Sequence, residues 1–132
     1  MSILILALVI LCSCSKASPY AGFWKGTVIN PSGKTIGKIE FTVQNDGMVK
    51  DGKIAVHIDA GPGISCDLTT TSTNGLNAQV HTAETEFNLS GSFETDSRAK
   101  GKIDFMACKT SAGVIRMQAG PSVLTWKANK QP

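Results

Sequence analysis

From Tyr20 onward, apolar and polar side chains alternate with a period of two, the spacing that sends successive residues to opposite faces of a β-strand. Gly22–Ile29 reads as a first strand, ended by the turn-forming run Asn30-Pro31-Ser32-Gly33. Next, Ile39, Phe41 and Val43 share one face and Lys38, Glu40 and Thr42 the other, before the hairpin signal Asn45-Asp46-Gly47. Ile54, Val56 and Ile58 then point inward and Lys53, His57 and Asp59 outward, with Asp51-Gly52 as a bulge or a second turn. After Gly61-Pro62-Gly63, Ile64, Cys66 and Leu68 alternate against Ser65 and Asp67.

Asn74-Gly75 marks the next turn. Leu76, Ala78 and Val80 alternate with Asn77, Gln79 and His81, and Phe87, Leu89, Gly91 and Phe93 continue the inward set. Ile103, Phe105 and Ala107 face in while Lys102 and Asp104 face out; Cys108 breaks this parity, which places it at a strand end or a bulge. Val114–Gln118 and Val123–Lys127 close the series, divided by Gly120-Pro121. No stretch holds a helical period of 3.6 residues. The expected fold is all-β: an antiparallel up-and-down meander of roughly eight or nine strands, closed or partly open as a barrel, with a two-sheet sandwich as the runner-up.

Composition narrows the picture little. The chain has 132 residues, enough for one small domain, with 17% charged residues, 6% aromatic residues and a formal net charge of +3. Basic and acidic residues alternate, as in Lys100, Lys102 and Asp104, so no run of like charge points to nucleic acid.

The amino terminus differs in kind. Ile3 to Leu11 is an unbroken apolar run, and no charged residue precedes Lys16. The run is far short of the roughly 20 residues that span a bilayer and matches a signal-peptide core; a buried core helix is the alternative. Leu11-Cys12-Ser13-Cys14 resembles the lipobox of bacterial lipoproteins, with Leu three positions before the cysteine and a small residue directly before it. The resemblance implies a signal helix over 1–13, cleavage before Cys14, lipidation of the Cys14 sulfur and a short tether over 14–19, ahead of the β-barrel domain that the alternation marks over 20–132. It implies membrane attachment through the amino-terminal lipid in the cell envelope. With Ser15 rather than Asp after the cysteine, the resemblance implies the outer membrane, facing the periplasm or the surface. With Cys12 removed and Cys14 lipidated, Cys66 and Cys108 remain as a pair in an oxidising compartment, where a disulfide is expected and two buried thiols are the alternative.

Gly22-Phe23-Trp24 ahead of an antiparallel meander resembles the opening of the calycin barrels (lipocalins, avidins and fatty-acid-binding proteins), whose first-strand Trp closes one barrel end. This implies a ligand pocket lined by Trp24, Phe41, Phe87, Phe105 and Trp126 for a small apolar molecule. The size, export and paired cysteines are also similar to small periplasmic barrels that inhibit lysozymes or proteases. That likeness implies a protein partner bound through turns such as Asn30–Lys34, Asp59–Gly63 and Ser111–Gly113.

No catalytic set, metal site or cofactor motif stands out in the sequence. His57 and Asp59 share a strand face, as a base and its orienting carboxylate would, but no nucleophile is placed beside them. His81 has similar status, and a joint His57–His81 metal site has nothing further to support it. Glu84, Glu86, Glu94 and Asp96 are scattered carboxylates. Gly33-Lys34-Thr35 lacks the earlier glycine of a phosphate loop, Ser65 lacks a nucleophile elbow, and Asn88-Leu89-Ser90 is a sequon in mid-strand. The reading is a non-enzymatic binding protein of the cell envelope.

Overall fold

The computed structural model describes residues 16–61, 64–73, 75–82, 85–110, 112–116 and 122–132. The expected signal helix and Cys14 lie outside them. Nine strands follow in order: β1 Gly22–Ile29, β2 Thr35–Val43, β3 Val49–Gly61, β4 Ile64–Thr73, β5 Ala78–His81, β6 Glu86–Thr95, β7 Arg98–Thr110, β8 Gly113–Arg116 and β9 Ser122–Lys130. No described residue is helical.

All nine belong to one antiparallel sheet, ordered β4-β3-β2-β1-β9-β7-β6-β5, with β8 also paired to β7. A single continuous sheet replaces the two stacked sheets that a sandwich needs. The sheet curls into an open half-barrel. Its first and last strands join, with Gly26 opposite Ala128, so the opening falls between β4 and β5 rather than between the chain ends. Strand β5 is only four residues long and, among the described residues, pairs with β6 alone. The disulfide Cys66–Cys108 staples this seam by joining β4 to β7, with Cα atoms 6.1 Å apart.

The irregularities have local causes. Glu40 faces Lys53 but Thr42 faces Lys50, so β3 carries an extra residue. The bulge centres on Asp51, whose φ of 55° is a left-handed conformation that a short polar side chain tolerates. A second bulge resolves the parity of Cys108. Phe87 faces Phe105 while Glu86 faces Ala107, so β7 gains a residue at Met106, and both Ala107 and Cys108 turn inward. The β2–β3 turn closes with Gln44 N donating to Met48 O at 2.9 Å and with Gly47 at a φ of 88°.

The inward set fills the barrel. Trp24, Val28, Leu68, Phe87, Ile103 and Trp126 are fully buried, and Phe41 and Phe105 nearly so. The Trp24 ring stacks on Phe41 at 5.7 Å and meets Phe93 at 5.1 Å; Phe41 in turn meets Trp126 edge-on at 6.0 Å. Buried indole N–H groups need acceptors, and both find backbone carbonyls. Trp24 Nε1 donates to Tyr20 O at 2.9 Å and Trp126 Nε1 to Ser90 O at 3.1 Å. Trp126 fits because Gly91 and Gly101 lie beneath it; a Cβ on Gly91 would overlap the six-membered ring.

Candidate functional site

Antiparallel register decides which turns share an end. Strands β1, β3 and β7 run the same way, so the β1–β2, β3–β4 and β7–β8 turns gather at one end of the barrel. These are the three turns singled out from sequence, although residues 62–63 and Ser111 lie outside the described set. The chain enters at the other end, where Ser18 N donates to Asn45 O at 2.8 Å.

The β1–β2 turn is organised by Asn30. Asn30 Oδ1 accepts from Ser32 N at 3.1 Å, Ser32 Oγ at 2.8 Å and Lys34 N at 2.9 Å. Such an Asx arrangement fixes the loop without help from the core. Between this turn and β3 lies a cleft of about 240 Å³, with Ile36, Ile58, Leu124 and Pro31 as its apolar part and Lys34, His57 and Asp59 as its charged rim. A second, more polar and more open cleft of about 440 Å³ runs along the seam, lined by Ser65, Asp67, Thr69, Thr85, Lys109 and Thr110. Thr110 Oγ1 donates to Gly113 O at 2.9 Å and shapes the turn at its edge.

His57 stands between the two clefts. Its Nδ1 lies 2.8 Å from Asp67 Oδ1 and its Nε2 3.5 Å from Asp59 Oδ1. Both nitrogens therefore face carboxylates, which suits the doubly protonated ring. The hydrogen bond to Asp67 raises the His57 pKa above its ordinary 6.5, assisted by the charges of Asp67 and Asp59, while burial acts in the opposite direction. The carboxylates sit at opposite ends of the ring and do not converge on one point. Among the described residues no group of three or more metal-binding side chains is arranged to hold an ion.

A raised folded-state pKa has a definite sign. Its stabilisation is complete below the unfolded value and is lost as pH rises through the folded value. Wild-type protein is therefore expected to lose a small increment of stability above the ordinary histidine range that His57→Gln does not lose, as read from urea midpoints at several pH values. In an NMR titration, Asp67→Asn should return the His57 midpoint toward normal further than Asp59→Asn does.

The other sequence candidates disperse. His81 Nδ1 lies 3.5 Å from Glu86 Oε1, and Glu86 also binds Arg116 Nη1 at 3.2 Å. Glu94 pairs with Lys100 at 3.0 Å, and Glu84 lies outside the described residues. His57 and His81 are on strands that share no pairing. Ser65 faces Asp59 across the hairpin, and among the described residues no hydrogen bond links it to His57. Trp24, Phe41, Phe87, Phe105 and Trp126 pack into one core cluster and line neither cleft. Asp67, the nearer partner of His57, escapes a reading of neighbours along the chain. Counting outward from Pro62 finds it, because the hairpin places His57 opposite Asp67.

No protein-family model matches the chain, and no curated protein matches it. Among solved structures, the chain is similar to a redesigned β barrel at 21% identity and a TM-score of 0.39, over 91% of this chain and 98% of that one. The fold rests on the strand pairing itself: an all-β, nine-stranded antiparallel meander curled into a half-barrel.

Proposed function

We propose that this is a lipid-anchored cell-envelope protein with a non-enzymatic binding role, attached through Cys14 and engaging a protein partner with the turn-bearing end of its barrel. The observation that carries this reading is the contrast between interior and rim. The interior is occupied by its own aromatic side chains. The rim offers an ordered Asx turn, a half-apolar cleft and exposed charges contributed by the β1–β2 turn and by β3. Loops on a rigid barrel are well suited to recognition. The resemblance to periplasmic barrels that inhibit lysozymes or proteases supplies the partner class. A filled core favours this partner over the small apolar ligand that the calycin resemblance implies.

Two measurements test the proposal. Mature protein is expected to be retained on an immobilised lysozyme or secreted protease, and the pair Lys34→Ala and Asp59→Ala is expected to weaken retention at least tenfold. Retention by neither class removes the inhibitor reading; retention unmoved by the rim substitutions removes the rim. Separately, metabolic palmitate is expected to label the wild type and not Cys14→Ala. An unlabelled wild type ends the lipoprotein reading.

A further inference from the structure

Folding gathers lysines that the sequence disperses. Lys38 pairs with Thr27, Thr27 with Lys127, and Lys127 with Lys100, so one row across β2, β1, β9 and β7 carries three lysines. Lys25 and Arg98 flank this row on one side, since both register with Asn129, and Lys102 flanks it on the other, opposite Thr125. All six are exposed on the outer wall, the alternate residues Trp24, Val28, Ala99 and Trp126 being buried. Strands lie about 4.8 Å apart, and like charges directly opposite each other, as at Lys127 and Lys100, oppose pairing. A wall kept this way costs stability and calls for a compensating role.

Few carboxylates balance it. Glu94 binds Lys100, and its pKa is lowered first by that hydrogen bond and further by the charges of Lys100, Arg98 and Lys127. Glu40 sits beside Lys25, and Asp104 lies beyond Lys102. Among the described residues, Lys38, Arg98, Lys102 and Lys127 have no carboxylate within ion-pair distance. By contrast, Asp59, Asp67 and Glu86, toward the seam, each face His57 or Arg116.

We propose that the wall formed by β2, β1, β9 and β7 lies against an anionic lipid bilayer. The charges are mostly lysines, compact point charges suited to a diffuse field of headgroups rather than to bidentate recognition of one phosphate. The depression among them, around Glu94, Arg98, Lys100 and Lys127, is about 150 Å³, and a wider, open one of about 440 Å³ meets the wall only at Lys38. At the edge of the same face Phe23 is 40% exposed, with Lys25 Nζ 5.4 Å from its ring centre, an aromatic and a cation side by side as at a membrane interface. Phe23 lies at the end where the chain enters, and Lys130 Nζ donates to Pro19 O there at 2.6 Å. On the proposed lipid anchoring, the four residues from Cys14 to the pinned Ser18 reach at most about 14 Å, which holds this wall near the membrane.

The test uses the purified full chain carrying Cys14→Ser, so that no acyl chain contributes. It is sedimented with vesicles of phosphatidylcholine alone and of phosphatidylcholine mixed with phosphatidylglycerol. The anionic vesicles should bind it in strong preference, and high salt should abolish that preference. At about 1 kcal/mol per cation near the surface, Lys100→Gln with Lys127→Gln should lower the preference roughly 30-fold without altering the circular-dichroism spectrum. Equal binding to both vesicles overturns the inference, as does a preference that the two substitutions leave unchanged. Capture by soluble dextran sulfate without capture by anionic vesicles also overturns it. Vesicle preference without palmitate labelling supports the wall and removes the anchor; labelling without preference removes the wall alone.

Discussion

Replacing Cys66 and Cys108 together with alanine is expected to lower the unfolding free energy by about 4 kcal/mol, the chain-entropy value for a loop of this length. The bridge closes a sequence separation of 42 residues and joins β4 to β7, strands that are not neighbours in the sheet order. Every other neighbouring pair in the curl is held by a ladder. At the seam, the disulfide supplies the covalent link beside buried Leu68 and Phe105. Small domains have roughly 5–15 kcal/mol in total, so the loss is a large share. Urea unfolding with and without reductant measures it. A reduced protein within about 1 kcal/mol of the oxidised one would show that side-chain packing alone holds the seam.

The second large effect centres on Trp126. Truncation to leucine should cost about 3 kcal/mol, because the indole is fully buried, contacts Phe41 and satisfies Ser90 O. Gly91→Ala alone should cost roughly 1–3 kcal/mol, since its Cβ overlaps the same indole. The double variant removes the overlap along with the ring. Its cost is expected to fall below the sum of the two by at least about 0.5 kcal/mol. Strict additivity in urea unfolding would mean that Gly91 is there for its backbone and not for the tryptophan.

Much of this fold is legible in the chain because burial has period two. Strand β1 spans the stretch that alternation marks, the inward sets of β2 and β3 are buried, and in β6 Phe87 and Leu89 are buried while Gly91 and Phe93 are partly so. The Cys66–Cys108 pair is expected because Cys12 and Cys14 are assigned elsewhere, and of the two only Cys66 follows the inward parity. The parity break at Cys108 is legible as an irregularity, and the bulge at Met106 explains it. Strand β5 begins at Ala78 rather than Leu76, although Leu76 is buried as its apolar character demands. The opening between β4 and β5 is not legible. Alternation fixes faces but not which strands meet, and joining β1 to β9 brings together residues about a hundred positions apart.

The candidate site divides the same way. His57, Asp59 and the turns at this end of the barrel are visible as outward polar residues and turn signals. Asp67 joins His57 only through hairpin register. The lysine wall is hidden altogether, because Lys38, Lys100 and Lys127 lie far apart in sequence and become neighbours only across four strands.

The central claim is that a filled barrel binds with its surface. Tryptophan fluorescence tests it most directly, since Trp24 and Trp126 both sit within the core. Titration of the mature protein with fatty acids and other apolar ligands is predicted to leave the emission maximum and intensity unchanged up to the solubility limit. A saturable shift at stoichiometric ligand would contradict the claim and return the interior to the role of a binding pocket.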